Sequence, residues 1–263
     1  MTRKHKLPLA LLAVFAMTLA LLVYFPGGAF NGFDMGMTAS AAWDGTAADG
    51  FAGGDGSEGS PFEIATGEQL AYFEKQTTDG ESYENKYLKL TADIDLGGRE
   101  WTPIGSYTSF KGCFDGNGHS VSNFIINDAY SCYVGLFADN RGTIKNLGVE
   151  NAKVTGDAFV GGICGFNYED GTISNCYNTG TVSGSSNVGG ICGNNDGAIQ
   201  NCYNTGAVNG SNYAIGGVCG TSDGTITNCY NAGTVNGKNN VGSICGREYN
   251  ATIADCYYDK DIC

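Results

Sequence analysis

A unit of about 27 residues recurs along the second half of the chain, and self-similarity at such a period leaves very few architectures open. Its copies open with Val160-Gly-Gly-Ile-Cys-Gly, Val188-Gly-Gly-Ile-Cys-Gly, Ile215-Gly-Gly-Val-Cys-Gly and Val241-Gly-Ser-Ile-Cys-Gly. Each continues into a second block: Gly171-Thr-Ile-Ser-Asn-Cys-Tyr, Gly197-Ala-Ile-Gln-Asn-Cys-Tyr, Gly224-Thr-Ile-Thr-Asn-Cys-Tyr and Ala251-Thr-Ile-Ala-Asp-Cys-Tyr. A shorter third block, such as Gly180-Thr-Val-Ser-Gly, follows in most copies. A divergent copy comes earlier, with Val134-Gly-Leu-Phe-Ala, Gly142-Thr-Ile-Lys-Asn-Leu and Lys153-Val-Thr-Gly. Gly118-His-Ser-Val-Ser-Asn-Phe reads as the second block of one copy further back. On this alignment the isoleucine position recurs at Val121, Ile144, Ile173, Ile199, Ile226 and Ile253.

The blocks are too short for helices and too rich in β-branched residues and glycine. The 42 glycines, set among Asn, Thr and Ser and with only 4 prolines, supply repeated tight corners. A lone coil of this kind cannot bury its apolar side, but stacked coils share a continuous core. The expected fold is all-β, a right-handed parallel β-helix with three short strands per coil. Equivalent residues then stack about 4.8 Å apart. The handedness follows from the usual preference of β-crossovers.

From Val134 to the end the chain resembles the GLUG-motif family, whose repeats read approximately VGGLVG…G-T-I-x-N-C-Y-x-x-G-x-V-x-G. Tyr87-Leu-Lys-Leu-Thr-Ala-Asp-Ile-Asp-Leu, Trp101-Thr-Pro-Ile-Gly and Phe110-Lys-Gly-Cys-Phe-Asp-Gly-Asn-Gly-His are similar to the segment that leads into such repeats. The resemblance covers roughly residues 60–263. It implies a β-helix on secreted or surface proteins of bacteria, including arrays attached to IgA-specific metalloproteases, and no single activity. This chain departs in placing Cys where the family's first apolar block more often has Val.

Ahead of the repeats, Arg3, Lys4 and Lys6 precede an uncharged run from Leu7 to Phe25, and Ala39-Ser40-Ala41 has the small-x-small form of a cleavage site. Residues 1–41 read as a signal peptide cleaved after Ala41 or Ala42, with an uncleaved anchor as the alternative. The protein is therefore expected to be secreted or displayed at the cell surface, touching a membrane only through that segment. Residues 42–61, rich in Gly and Asp, read as a flexible linker. Residues 62–132 read as an N-terminal cap with the first divergent coils, and 133–263 as the repeats. Thr66 followed by Gln69 marks the start of a helix over 67–77, placed to cover the open end of the solenoid.

Stacking turns each repeat position into a column. Cys164, Cys192, Cys219 and Cys245 form one, and Cys176, Cys202, Cys229 and Cys256 another. Clustered C-x-x-C pairs suited to zinc are absent from these columns. Buried free thiols are favoured over disulfides, because Ala138 and Leu147 take the two positions in the divergent copy. Asn123, Asn146, Asn175, Asn201 and Asn228 align as an amide ladder that ends at Asp255. Asp170, Asp196 and Asp223 align before the second block. Three carboxylates in a row suggest a calcium-binding edge, while Asp-Gly turn formation is the plainer account. No other cofactor is expected. Tyr177, Tyr203, Tyr230 and Tyr257 form an outward column if the neighbouring Cys faces inward. Such a strip suits a sugar or a protein groove, or is a tyrosine ladder that only stiffens the rod.

Catalytic signals are sparse. His5 and His119 are the sole histidines, and H-E-x-x-H is absent. Asp93, Asp95, Glu100 and Asp115 could pair as in polysaccharide-cleaving enzymes, although Asp93 and Asp95 alternate with Ile94 and Leu96 as on any half-exposed strand. The formal net charge of −13 disfavours nucleic acid. The expected function is non-catalytic: an adhesin-like module for a glycan or a host-surface protein. A structural stalk is the alternative, and a lyase or hydrolase the third reading.

Overall fold

Between Thr172 and Asn195 the chain completes one turn through five short strands: Thr172–Ser174, Tyr177–Asn178, Thr181–Gly184, Ser186–Gly189 and Cys192–Asn195. The computed structural model describes residues 43–261, so the signal segment lies outside the described residues. Every strand of this turn pairs in parallel with its equivalent in the next. Ile173 lies beside Ile199, Tyr177 beside Tyr203, Val182 beside Val208, Val188 beside Ile215 and Cys192 beside Cys219. Five parallel sheets result, here called first to fifth in the order the chain meets them, with 8, 7, 5, 5 and 5 strands. The fold is a parallel β-solenoid.

Five strands per coil replace the three expected, because two of the three sequence blocks bend in the middle. In the second block Asn175 adopts φ 54. That left-handed corner, which Asn tolerates well, separates the first-sheet strand from the second. In the first block the break falls at a glycine pair. A side chain on Gly189 would collide with the Cys192 carbonyl oxygen, and one on Gly190 with the Asn204 side chain.

The register also corrects the alignment of the early coils. Phe114, not Val121, stacks beneath Ile144 in the first sheet, whose column runs Leu88, Phe114, Ile144, Ile173, Ile199, Ile226 and Ile253. Val121 belongs to the second sheet, beside Val149. The confusion has a physical origin. Val121–Asn123 and Ile144–Asn146 are both a buried β-branched residue followed two positions later by a left-handed Asn, with φ 58 and 53.

Residues 43–61 are folded, not a linker. Trp43 is buried, meets Trp101 edge-on at 5.7 Å and accepts the Arg99 Nε–H on its carbonyl at 2.7 Å. Phe51 stacks on Phe62 at 4.6 Å, and Ala52 and Glu63 bond through their backbones. Glycine and aspartate set the turns here, but three aromatic anchors hold them. The helix α1 (Gly67–Thr78) follows, with the Thr66 hydroxyl accepting from the Gln69 N–H. Its Gln69 amide reaches back to the Ala65 N–H at 2.8 Å, one residue before the position a capping box would use. Leu70, Ala71, Phe73 and Thr77 form its buried face, and Phe73 packs on Phe110, Phe114 and Phe137. The helix thus covers the interior of the first coils, as its position predicted.

Four sheets continue beneath the coil that contains Ile125–Phe137. The first reaches Phe62–Ile64 and the second Ile94–Asp95, while bridges Glu100–Ile125 and Ile104–Phe137 extend the third and fifth. The fourth sheet stops at Cys132–Val134.

Candidate functional site

The tyrosine column is real and faces outward. Tyr177, Tyr203, Tyr230 and Tyr257 occupy one register position of the second sheet. Strand alternation puts the neighbouring Asn178, Asn204 and Asn231 inside. Tyr177 is half-buried, Tyr203 and Tyr230 are 41% and 40% exposed, and Tyr257 at the end of the row is 67% exposed. Tyr177 lies over Gly148, where any side chain would strike its ring, and its hydroxyl donates to Glu150. Partial burial, then that hydrogen bond, push the Tyr177 phenol well up. The Tyr177 and Tyr203 rings stack nearly parallel, 5.0 Å and 6° apart. One face of each of these two rings is therefore covered by the other, and the row offers ring edges and phenol oxygens at coil spacing.

The acidic edge does not form as aligned. Asp196 and Asp223 follow the register-matched Asn195 and Ser222, but the equivalent residue one coil down is Tyr168. Two extra residues, Glu169 and Asp170, displace Asp170 to a depression shared with Glu84, Asn85, Lys111 and Arg141. Burial raises the Asp196 carboxyl, opposed by the Asn194 amide at 2.9 Å and reinforced by Asp223. Among the described residues no three Asp, Glu, His or Cys side chains converge as metal ligands.

The predicted asparagine ladder is exposed and shorter than the alignment. The Asn201 amide donates to Asn175 and that of Asn175 to Asn146, each at 3.1 Å, and Asn146 ends the run on Asp115 at 2.9 Å. Asn123 stands at a different corner and donates to Asp95 at 2.9 Å. Asn228 and Asp255 keep the left-handed backbone of the column, with φ 53 in both.

Both cysteine columns are free thiols. Cys164, Cys192 and Cys219 stack in register in the fifth sheet, as Cys176, Cys202 and Cys229 do at the corner between the first two sheets, and all six are fully or almost fully buried. Each sulfur sits near a carbonyl two residues away in sequence, Cys176 at 3.2 Å from Ser174 O and Cys202 at 3.2 Å from Gln200 O. A valine there could not engage that oxygen, which gives cysteine a local role as a small apolar residue with a weak donor. Burial pushes the thiols of Cys164, Cys202 and Cys219 well up.

His119 and the early acids serve corners. Asp93 accepts from His119 Nδ1 at 3.1 Å and from the Ser120 N–H at 3.0 Å. Asp95 and Asp115 each accept a backbone N–H two residues on and an Asn amide from the coil above. Glu100, exposed, alone of the four lines an open cleft.

With this geometry in hand, three consecutive matches to the GLUG motif fall at residues 160–183, 184–209 and 211–236. The chain carries GLUG repeats. Two relatives are similar to the chain at the sequence level. Halomucin of Haloquadratum walsbyi is 33% identical over 165 residues, 57% of this chain and 2% of halomucin. A protein of Evansella cellulosilytica described as a Gly-rich membrane protein is 34% identical over 132 residues, 48% of this chain and 15% of its own length. The chain thus spans a small part of either relative. A crystal structure from Bacteroides ovatus, described as an immunoglobulin A1 protease, superposes with a TM-score of 0.69 at 26% identity, over 81% of this chain and 79% of that one.

The GLUG coils hold two further ladders that the sequence reading missed, and both are buried. Asn178 donates to Asn204 and Asn204 to Asn231, each at 2.9 Å, while every one of these amides also bonds backbone around its own Gly corner. Asn140, Asn167, Asn195 and Ser222 form the other, at 2.7, 2.8 and 3.1 Å. The signal was available: an Asn stands two residues after Cys176, Cys202 and Cys229 in each copy. Next to corner glycines it reads as turn chemistry, which conceals that it points inward.

Proposed function

We propose that this chain is an extracellular, non-catalytic recognition module that binds a neutral or cationic glycan, or a protein surface of that character, along its tyrosine row. The observation that carries this reading is the outward register of Tyr177, Tyr203, Tyr230 and Tyr257, with up to 67% exposure in a row of aromatic hydroxyls. Tyrosine supplies large contact area and a polar tip at low entropic cost. The net charge of −13 favours neutral or cationic partners over anionic ones. Surface display accords with the export-type N-terminus and with relatives that include a mucin-named protein and one described as a membrane protein. The non-catalytic reading is supported by the engagement of His119, Asp93, Asp95 and Asp115 in corner hydrogen bonds.

A stalk function is the second reading, favoured by the Tyr177–Tyr203 stack, in which the rings serve each other. Glycan and matrix-protein arrays probed with wild type and a Tyr203→Ala/Tyr230→Ala variant separate the two. The recognition reading expects binding that weakens about tenfold or more in the variant, in line with aromatic hot spots. A well-folded wild type that binds nothing would leave the stalk.

A further inference from the structure

The end of the fourth sheet at Cys132–Val134 leaves a gap in the wall of the solenoid. In the coil above the gap the chain takes a long path from the third sheet to the fifth, from Ile125 to Phe137, and it does so again from Thr181 to Cys192. In the coil below, it crosses from Glu100 to Ile104 through Trp101, Thr102 and Pro103 alone. The segment that would have formed a fourth-sheet strand under Cys132–Val134 does not exist. In its place lies a notch of about 580 Å³, within the range of ligand-binding clefts. Trp101, itself buried, closes its base, and Tyr107 and Tyr133 stand exposed at its rim, Tyr107 at 79%.

The notch has a defined chemistry. One wall is the edge of a parallel sheet, bent at Tyr133 with φ 63, where a further strand that follows the bend fits at a spacing of about 4.8 Å. Its charged lining is acidic throughout: Glu100 and Asp128 line it, and no Lys or Arg does. Asp128 is fixed in place by the Ser131 hydroxyl and the Tyr130 N–H. Hydroxyls of Thr102, Ser106 and Ser131 complete a polar lining.

We propose that this notch binds an extended basic peptide, which adds to the Cys132–Val134 edge as the missing strand and directs a lysine or arginine side chain at Glu100 and Asp128. Strand addition is a general mode of peptide capture, in which main-chain bonds give affinity and side-chain pockets give selectivity. The site is distinct from the tyrosine row, which lies on the second sheet, so it stands or falls independently of the recognition reading above.

Cys132 is exposed in the notch and reports on it directly. The test follows alkylation of Cys132 in the full chain by peptide mapping, with acetyl-Thr-Val-Lys-Val-Thr-amide as probe. Near-saturating probe is expected to slow Cys132 alkylation about fivefold or more by mass action, while half-buried Cys113 reacts at an unchanged rate. Glu100→Gln, at an exposed position, is expected to weaken the probe about fivefold. A probe with Glu for Lys, or one N-methylated along its backbone, is expected to protect poorly. Absence of protection by the lysine probe overturns the proposal. So does equal protection by the glutamate or N-methylated probe, or protection by chitotriose alone, which would make the notch a sugar site.

Discussion

Below Asn140 the solenoid is filled by large rings. Phe73 lies parallel to Phe114 at 5.8 Å, and Phe110 and Phe137 close around them. From Cys164 upward its buried side chains are Ile, Val, Ala, Cys, Asn, Ser and Thr. The two regions also differ in electrostatics and corners. Among the described residues the ion pairs fall between Glu63 and Lys145, with none in the later coils. Left-handed glycines occur up to Gly118, whereas the later coils turn mostly on left-handed Asn such as Asn175, Asn201 and Asn240. The early region packs each residue against a different neighbour. The later one packs each residue against its own copy, so only side chains that stack on themselves persist there.

That contrast can be broken at several points. Phe73→Ala should give the largest effect, about 4 kcal/mol, since it removes a fully buried ring with no equivalent one coil away. Hydrogen exchange should show the loss confined to α1 and the first coils; a uniform loss through residues 164–256 would contradict the separation. Asn204→Leu should cost about 3 kcal/mol in denaturant unfolding, because it removes one of the Asn178 amide's acceptors and the side-chain partner of the buried Gly206 backbone groups. Asn201→Gly, on the exposed ladder and at φ 53, should stay within about 0.5 kcal/mol. Equal costs for the two would show that burial does not rank the ladders.

A pH-dependent effect concerns Asp139, at the junction of the two regions. Burial pushes its carboxyl up to about 6, against the pull of Arg141, and Oδ1 is buried with no hydrogen-bond partner. A carboxyl raised above its unfolded value penalises the fold once ionised. Stability from this group is therefore lost as pH rises through about 6 and recovered as pH falls toward 4. Asp139→Asn should raise stability at pH 8 by about 1 kcal/mol after solvent screening, and by little at pH 4. Identical melting shifts at the two pH values would rule out ionisation as the cause.

The sequence made the later coils legible because their period is nearly constant and the register follows from it. Ile173, Cys176 and Tyr177 each stand where the alignment put them. It misled where corner lengths change. Two extra residues moved Asp170 out of line, and a longer coil let Val121 pass for the partner of Ile144. Composition misled at 43–61, where Gly and Asp concealed the anchors Trp43, Phe51 and Phe62. The notch was not legible at all, because it consists of residues that are missing between Glu100 and Ile104.

The buried amide ladders make each later coil interchangeable with its neighbours. Along Asn178, Asn204 and Asn231 the donor of one rung meets the acceptor of the next above it, so a coil inserted or removed as a whole finds its bonds already waiting. Joining Cys176 directly to Tyr203 would excise one coil and place Asn204 on a shortened rod without a new kind of contact. For a gene that copies itself in such units, length becomes a quantity to be set by copy number, in steps of about 4.8 Å.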